Sequence, residues 1–127
     1  MSRSGMICGL LSLCLTVLIG ISANISRHED SVRTAVELTY QALVEFTQQM
    51  GERPYSVTEP GFVRLLPRGR WLKNAYTGQT TEPRDWRETL GSLPVAGGVY
   101  LVCSDQEFSC QVIGYGRHGR ELCRRQY

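Results

Sequence analysis

Lysine is nearly missing from this sequence of 127 residues. Thirteen of its fourteen basic side chains are Arg and only Lys73 is Lys, so there is no lysine-rich tail of the kind that tracks nucleic acid, and no nucleic-acid partner is expected. The vocabulary of catalysis is thin as well. The chain has two histidines, no Gly-rich phosphate loop, no His-Glu-x-x-His, no Cys-x-x-Cys pair and no Gly-x-Ser-x-Gly. His28 falls in a helical stretch and His118 in a turn, so a shared catalytic site is not expected and each reads as solvated. Internal repeats and low-complexity tracts are absent too. An enzyme is not the expectation.

Charge is missing from one stretch altogether. From Met6 to Ile25, 20 consecutive residues contain no Asp, Glu, Lys, Arg or His. As a helix they would reach about 30 Å, the thickness of a bilayer's hydrocarbon core, which makes a single membrane span. The α-amino group and Arg3 precede it, whereas the charges of Arg27, His28, Glu29 and Asp30 after it nearly cancel. The positive-inside rule therefore places the N-terminus in the cytoplasm and the bulk of the chain outside. Beyond residue 25, 102 residues remain, with 13 Arg and Lys against 12 Asp and Glu, a nearly neutral exported part. Three readings of the segment compete: an uncleaved anchor, a removable signal ending at Ile21-Ser22-Ala23, and the first half of one long helix. A lipoprotein is disfavoured, because Leu13 rather than a small residue precedes Cys14.

Ser26 to Met50 lacks both Pro and Gly. Apolar residues recur there at helical spacing: Val32, Val36, Tyr40, Leu43 and Met50 form one stripe, and Ala35, Leu38, Ala42 and Phe46 a neighbouring one. Glu29, Arg33 and Glu37 stand four apart on the polar side. Gly51 and Pro54 supply the stop. Unbroken, residues 6–50 would make a helix about 65 to 70 Å long, its first half in lipid and its second half packed on something.

After Gly51 the composition turns to short apolar runs, turn residues and Arg. Gly61 to Leu66 reads as a short strand ended by Pro67. Leu72 to Thr81 reads as an irregular loop with a Gly at its turn, continued to Trp86. Val99–Cys103 and Cys110–Tyr115 read as a hairpin with a longer loop. With Cys103 opposite Cys110, Leu101 meets Val112 and Val99 meets Gly114 on one face, while Val102 meets Gln111 and Tyr100 meets Ile113 on the other. The first face is almost wholly apolar, as packing on an amphipathic helix requires. Arg120 to Cys123 reads as a third strand after a turn bracketed by Gly116 and Gly119. The four Arg and one Glu between Arg117 and Tyr127 read as a solvated basic terminus.

Cys8 and Cys14 lie in the apolar segment, leaving Cys103, Cys110 and Cys123 outside, in an oxidising space. Cys103 with Cys110 is the preferred disulfide, because directly opposite positions of an antiparallel pair bring the α-carbons within bridging range. Cys110 with Cys123 is the alternative. Two acidic groups, Asp105 with Glu107 and Glu82 with Asp85 and Glu88, lack the spacing of a calcium loop and read as hydrated surface. Arg64, Arg68, Arg70 and Lys73 around Trp71 read as wet cations beside an indole that packs inward.

The layout of a long N-terminal helix, a loop and a small antiparallel sheet resembles the type IV pilin and type II secretion pseudopilin superfamily. Asn74-Ala75-Tyr76-Thr77-Gly78 is similar to the Asn-Pro-Tyr-Thr-Gly loop of major-pseudopilin-like proteins. Tyr100 and the run Gly114-Tyr115-Gly116 with Gly119 resemble their closing hairpin. The resemblance implies an α+β fold in which the transmembrane and amphipathic helix packs on the sheet. It implies a leader of residues 1–5 cut by prepilin peptidase between Gly5 and Met6, N-methylation of Met6, and a non-catalytic role in a helical filament of pilin-like subunits. It divides the chain into a leader, a span at 6–25, an amphipathic continuation at 26–50 and an exported domain at 51–127. The location implied is the bacterial inner membrane, with the domain periplasmic or extracellular. Two departures stand out: Leu10 occupies the fifth position after the cut, where the family carries Glu, and no Pro interrupts the apolar run. Calcium is the cofactor that major pseudopilins would suggest, but only scattered acids occupy the corresponding loop, so no ligand set carries over. A single-pass anchored binding protein that does not polymerise is the alternative, and a secreted protein freed by signal peptidase a third.

Overall fold

The structure, a computed structural model, describes residues 27–80, 84–85, 94–104 and 109–127. Gly5, Met6, Leu10 and the rest of the apolar stretch lie outside the described residues, as do the side chains of both acidic groups. Among the described residues no helix is long and apolar enough to cross a membrane.

Helix α1 covers 27–50. It ends where the chain supplies a residue free to turn left-handed: Gly51 has φ +73°, and its N–H donates to the Thr47 carbonyl at 2.9 Å, an αL cap. The buried side of α1 is Val32, Val36, Thr39, Ala42, Leu43 and Phe46. Ala35, Leu38 and Tyr40 are half-buried, and two positions depart most from the expected stripes. Thr39 is buried because its hydroxyl is satisfied locally, donating to the Ala35 carbonyl at 2.7 Å. Met50, the last helical residue, lies past Phe46 and is 58% exposed.

Four strands form one sheet in the order β1-β2-β3-β4: Arg84–Asp85, Val99–Ser104, Ser109–Tyr115 and Glu121–Gln126. The pairing of β2 with β3 is antiparallel and places Cys103 opposite Cys110, Leu101 opposite Val112 and Val99 opposite Gly114. A disulfide joins Cys103 to Cys110, and among the described residues Cys123 has no disulfide partner. Leu101, Cys110 and Val112 join Val36, Leu43 and Phe46 in one core, with Val99, Cys103 and Cys123 at its margin. The apolar face of the hairpin is thus the face that α1 covers, and each fully buried aliphatic or aromatic side chain there contributes ~1.5–3 kcal/mol.

Three expectations from the sequence need correction. Gly61–Leu66 is not a strand: Pro60–Val63 is a short helix, α2, with Pro at its start, and Phe62 and Leu66, four apart, both point into the core. Pro fixes the φ that a first helical turn needs, and the turn that follows Val63 brings Leu66 into the core beside Phe62. The loop expected to run on to Trp86 is interrupted by β1, two residues paired parallel to β2, too short to leave a period in the sequence. The third strand extends to Gln126, and the basic terminus is part of the sheet. Arg124 donates to Glu121 at 2.7 Å and to Gln111 at 2.6 Å, while the Arg125 guanidinium lies 4.3 Å above the Tyr40 ring and 3.4 Å from the Glu37 carboxylate. Trp71 packs at the core's edge near Phe62.

Candidate functional site

The residues that carry the family resemblance are spread from Asn74 to Gly119 in sequence, and most gather at one end of the folded domain. Asn74 is the centre of this knot. It is buried, its Nδ2 donates to the Ala96 carbonyl at 2.8 Å, and its Oδ1 accepts from the Tyr76 N–H at 2.8 Å and the Thr77 N–H at 3.3 Å. An Asn side chain that replaces a backbone partner in this way makes an Asx turn, and Gly78, at φ +70°, closes it by donating to the Asn74 carbonyl at 2.8 Å. Gly97, also left-handed, lies so close to Asn74 that a Cβ there would overlap its side-chain oxygen.

The hairpin joins the same knot. The Tyr100 and Tyr115 rings meet edge to face at 5.2 Å, and the Tyr100 hydroxyl accepts the Val95 N–H at 3.0 Å. Gly97 N–H donates to the Tyr115 carbonyl at 2.8 Å, and Tyr115 N–H to the Gly98 carbonyl at 3.0 Å. Beyond Tyr115, Arg117–Gly119 forms a tight turn in which His118 and Gly119 both have positive φ, and a Cβ at Gly119 would strike the Pro94 carbonyl. Burial raises the Tyr115 phenol above its ordinary value, with the Glu121 carboxylate adding to it.

Contacts to α1 fix which end this is. The Tyr76 ring lies 5.0 Å from His28, in the first described turn of the helix, so His28 is half-buried rather than freely solvated. Gly114 faces Val32 and Val36, where a Cβ would come within 2.5 Å of one valine methyl and 2.8 Å of another. The opposite end carries the disulfide, where Arg53 donates to the Ser104 carbonyl at 2.9 Å, and a cleft of about 380 Å³ lined by Thr47, Gly51, Glu52, Arg53 and Tyr127. The knot therefore sits where the chain enters the domain from residues 6–25.

Among the described residues no group of three or more His, Cys, Asp or Glu could hold a metal ion. The hydroxyl of Tyr76 is buried and has no hydrogen-bond partner among the described residues. Cys123 faces α1, and burial raises its thiol above the ordinary value more than the nearby Arg33 lowers it. Sequence reasoning passed over Ala96, Gly97 and His28 as parts of the knot; the Gly97-Gly98 pair was the available signal. Compared with family models, curated proteins and solved structures, the chain matches none.

Proposed function

We propose that this chain is a pilin-like subunit of a type II secretion or type IV pilus-type filament, anchored by Met6–Ile25 and structural rather than catalytic. The observation that carries the reading is the knot. Tyrosines and glycines from three separate stretches serve to lock a small antiparallel sheet onto the start of an amphipathic helix, directly after a 20-residue apolar segment. A rigid head on a membrane helix is the form a lateral polymer needs: the Met6–Ile25 helices pack side by side in lipid, and contacts between heads run head to tail, which do not close and so give a filament. Cleavage by prepilin peptidase after Gly5 and methylation of Met6 prepare the subunit.

Leu10 favours a second reading. In the family a carboxylate at that position meets the amine of a neighbouring subunit within the membrane; Leu cannot, so the chain is either a minor or tip subunit or an anchored binding protein that stays monomeric. Amine-reactive or photo-cross-linking in native membranes separates these. A ladder of dimers, trimers and higher species, alone or with other pilin-like chains, is expected for the subunit; a band that stays monomeric would refute it.

A further inference from the structure

The knot ends in a group of exposed cations. Arg117, His118 and Arg120 protrude from its terminal turn, and Arg27 and Lys73 are exposed at the same end. The half-buried Glu29 and the exposed Asp30 oppose them, so among the described residues four permanent cations face two carboxylates before either histidine is counted; Glu121, beside the turn, is engaged by Arg124. That the turn belongs to this end follows from the register. Strand β3 runs from the disulfide end toward Gly114, which lies against Val32 and Val36, and the turn continues beyond it.

We propose that this end of the domain is a docking surface for the phosphate headgroups of anionic phospholipids, with Arg117 and Arg120 as its principal contacts. The proposal rests on the reading of Met6–Ile25 as a membrane span. Given that span, the tether is short whatever its conformation: two residues separate Ile25 from His28, and the three Cα–Cα steps between them extend at most about 11 Å. His28 in turn touches Tyr76 of the knot. His28 is thus held within about one Debye length of the hydrocarbon boundary, and the cations belong to the end of the domain that His28 touches, the end turned toward an anionic surface. Docking there would fix the tilt of the head relative to the bilayer, which sets how neighbouring heads meet.

The test uses the full chain, isotopically labelled, in nanodiscs of phosphatidylcholine alone or mixed with phosphatidylglycerol, each containing a lipid with a nitroxide on its headgroup. The proposal predicts selective paramagnetic broadening of the 117–120 amides in the anionic discs, relieved at high salt. The Arg117→Gln and Arg120→Gln substitutions should each cut the docked-to-undocked ratio about 5-fold. Amides of Val99–Ser104 should keep their shifts in both variants, showing that the fold is intact. Equal broadening in both lipids, or broadening in neither, would overturn the proposal while leaving the span in place. Protection that depends on protein concentration rather than lipid charge would also overturn it, in favour of a contact with a second copy. A chain that does not co-elute with the discs would remove the span reading and this proposal together.

Discussion

Gly114 sets the distance between the sheet and helix α1, and replacing it tests the packing most sharply. A Cβ at this position would lie 2.5 Å from Cγ2 of Val36 and 2.8 Å from Cγ1 of Val32, both on side chains that are 1% and 2% exposed. Valine in a helix has one strongly preferred rotamer, so neither can swing aside, and the helix itself must move. Gly114→Ala should therefore cost about 1–3 kcal/mol, the usual toll of overpacking, despite the small entropic gain of replacing Gly. For a domain of this size that lowers Tm by roughly 4–8 °C per kcal/mol. Val36→Ala alone removes two buried methyls and should cost about 2 kcal/mol. The double variant is the decisive member: the alanine methyl at 114 takes up space vacated at 36, so its cost should fall below the sum of the singles by about 1 kcal/mol or more. Denaturant unfolding of the full chain in detergent micelles, followed by tryptophan fluorescence, gives all three values. A stable Gly114→Ala variant, or additivity within about 0.5 kcal/mol, would refute the contact.

Asn74→Ala leaves the Ala96 carbonyl and the Tyr76 and Thr77 N–H groups without their partner and should cost about 2–4 kcal/mol, with the largest loss of amide protection in 74–78 and 94–98 by hydrogen exchange. Replacing Cys103 and Cys110 together by Ser opens a short loop and should cost about 2–3 kcal/mol by the chain-entropy relation, read as a shift in the denaturant midpoint. Two raised groups predict an alkaline limb. Cys123 and Tyr115 hold their protons more tightly folded than unfolded, so their stabilisation is full below their ordinary values of 9.0 and 10.0 and is lost as pH rises through the higher folded values. Cys123→Ser should flatten the part of the stability profile that begins near pH 9, and Tyr115→Phe the part that begins near pH 10; profiles identical to the parent would contradict the assignment.

The hairpin was legible because its code is short-range. Alternation and the placement of two cysteines give the β2–β3 register residue by residue, since a slip by one would turn Leu101 and Val112 away from α1. Helix α1 was legible from Val32, Val36 and Leu43, and its stop from Gly51. What was not legible depends on distant partners. Thr39 is polar, yet a bond to its own helix lets it enter the core. Arg125 looks like a wet terminal charge until Tyr40 and Glu37 appear beside it. Gly61 to Leu66 reads as a short strand until Phe46 takes the Phe62 ring at 6.3 Å. In the site, the Asn74 loop and the tyrosines were visible as separate motifs, but nothing in the sequence says that Asn74 reaches Ala96 across 22 residues or that the whole knot abuts His28.

The central claim, that this head is the exported part of a processed filament subunit, turns on where the mature chain begins. Intact mass and N-terminal sequence of the protein isolated from its native membranes measure this directly. The account predicts a chain starting at Met6, heavier by one methyl. A chain starting at Met1 would contradict it and leave an anchored, unprocessed protein, and one starting at Asn24 would make it a secreted one.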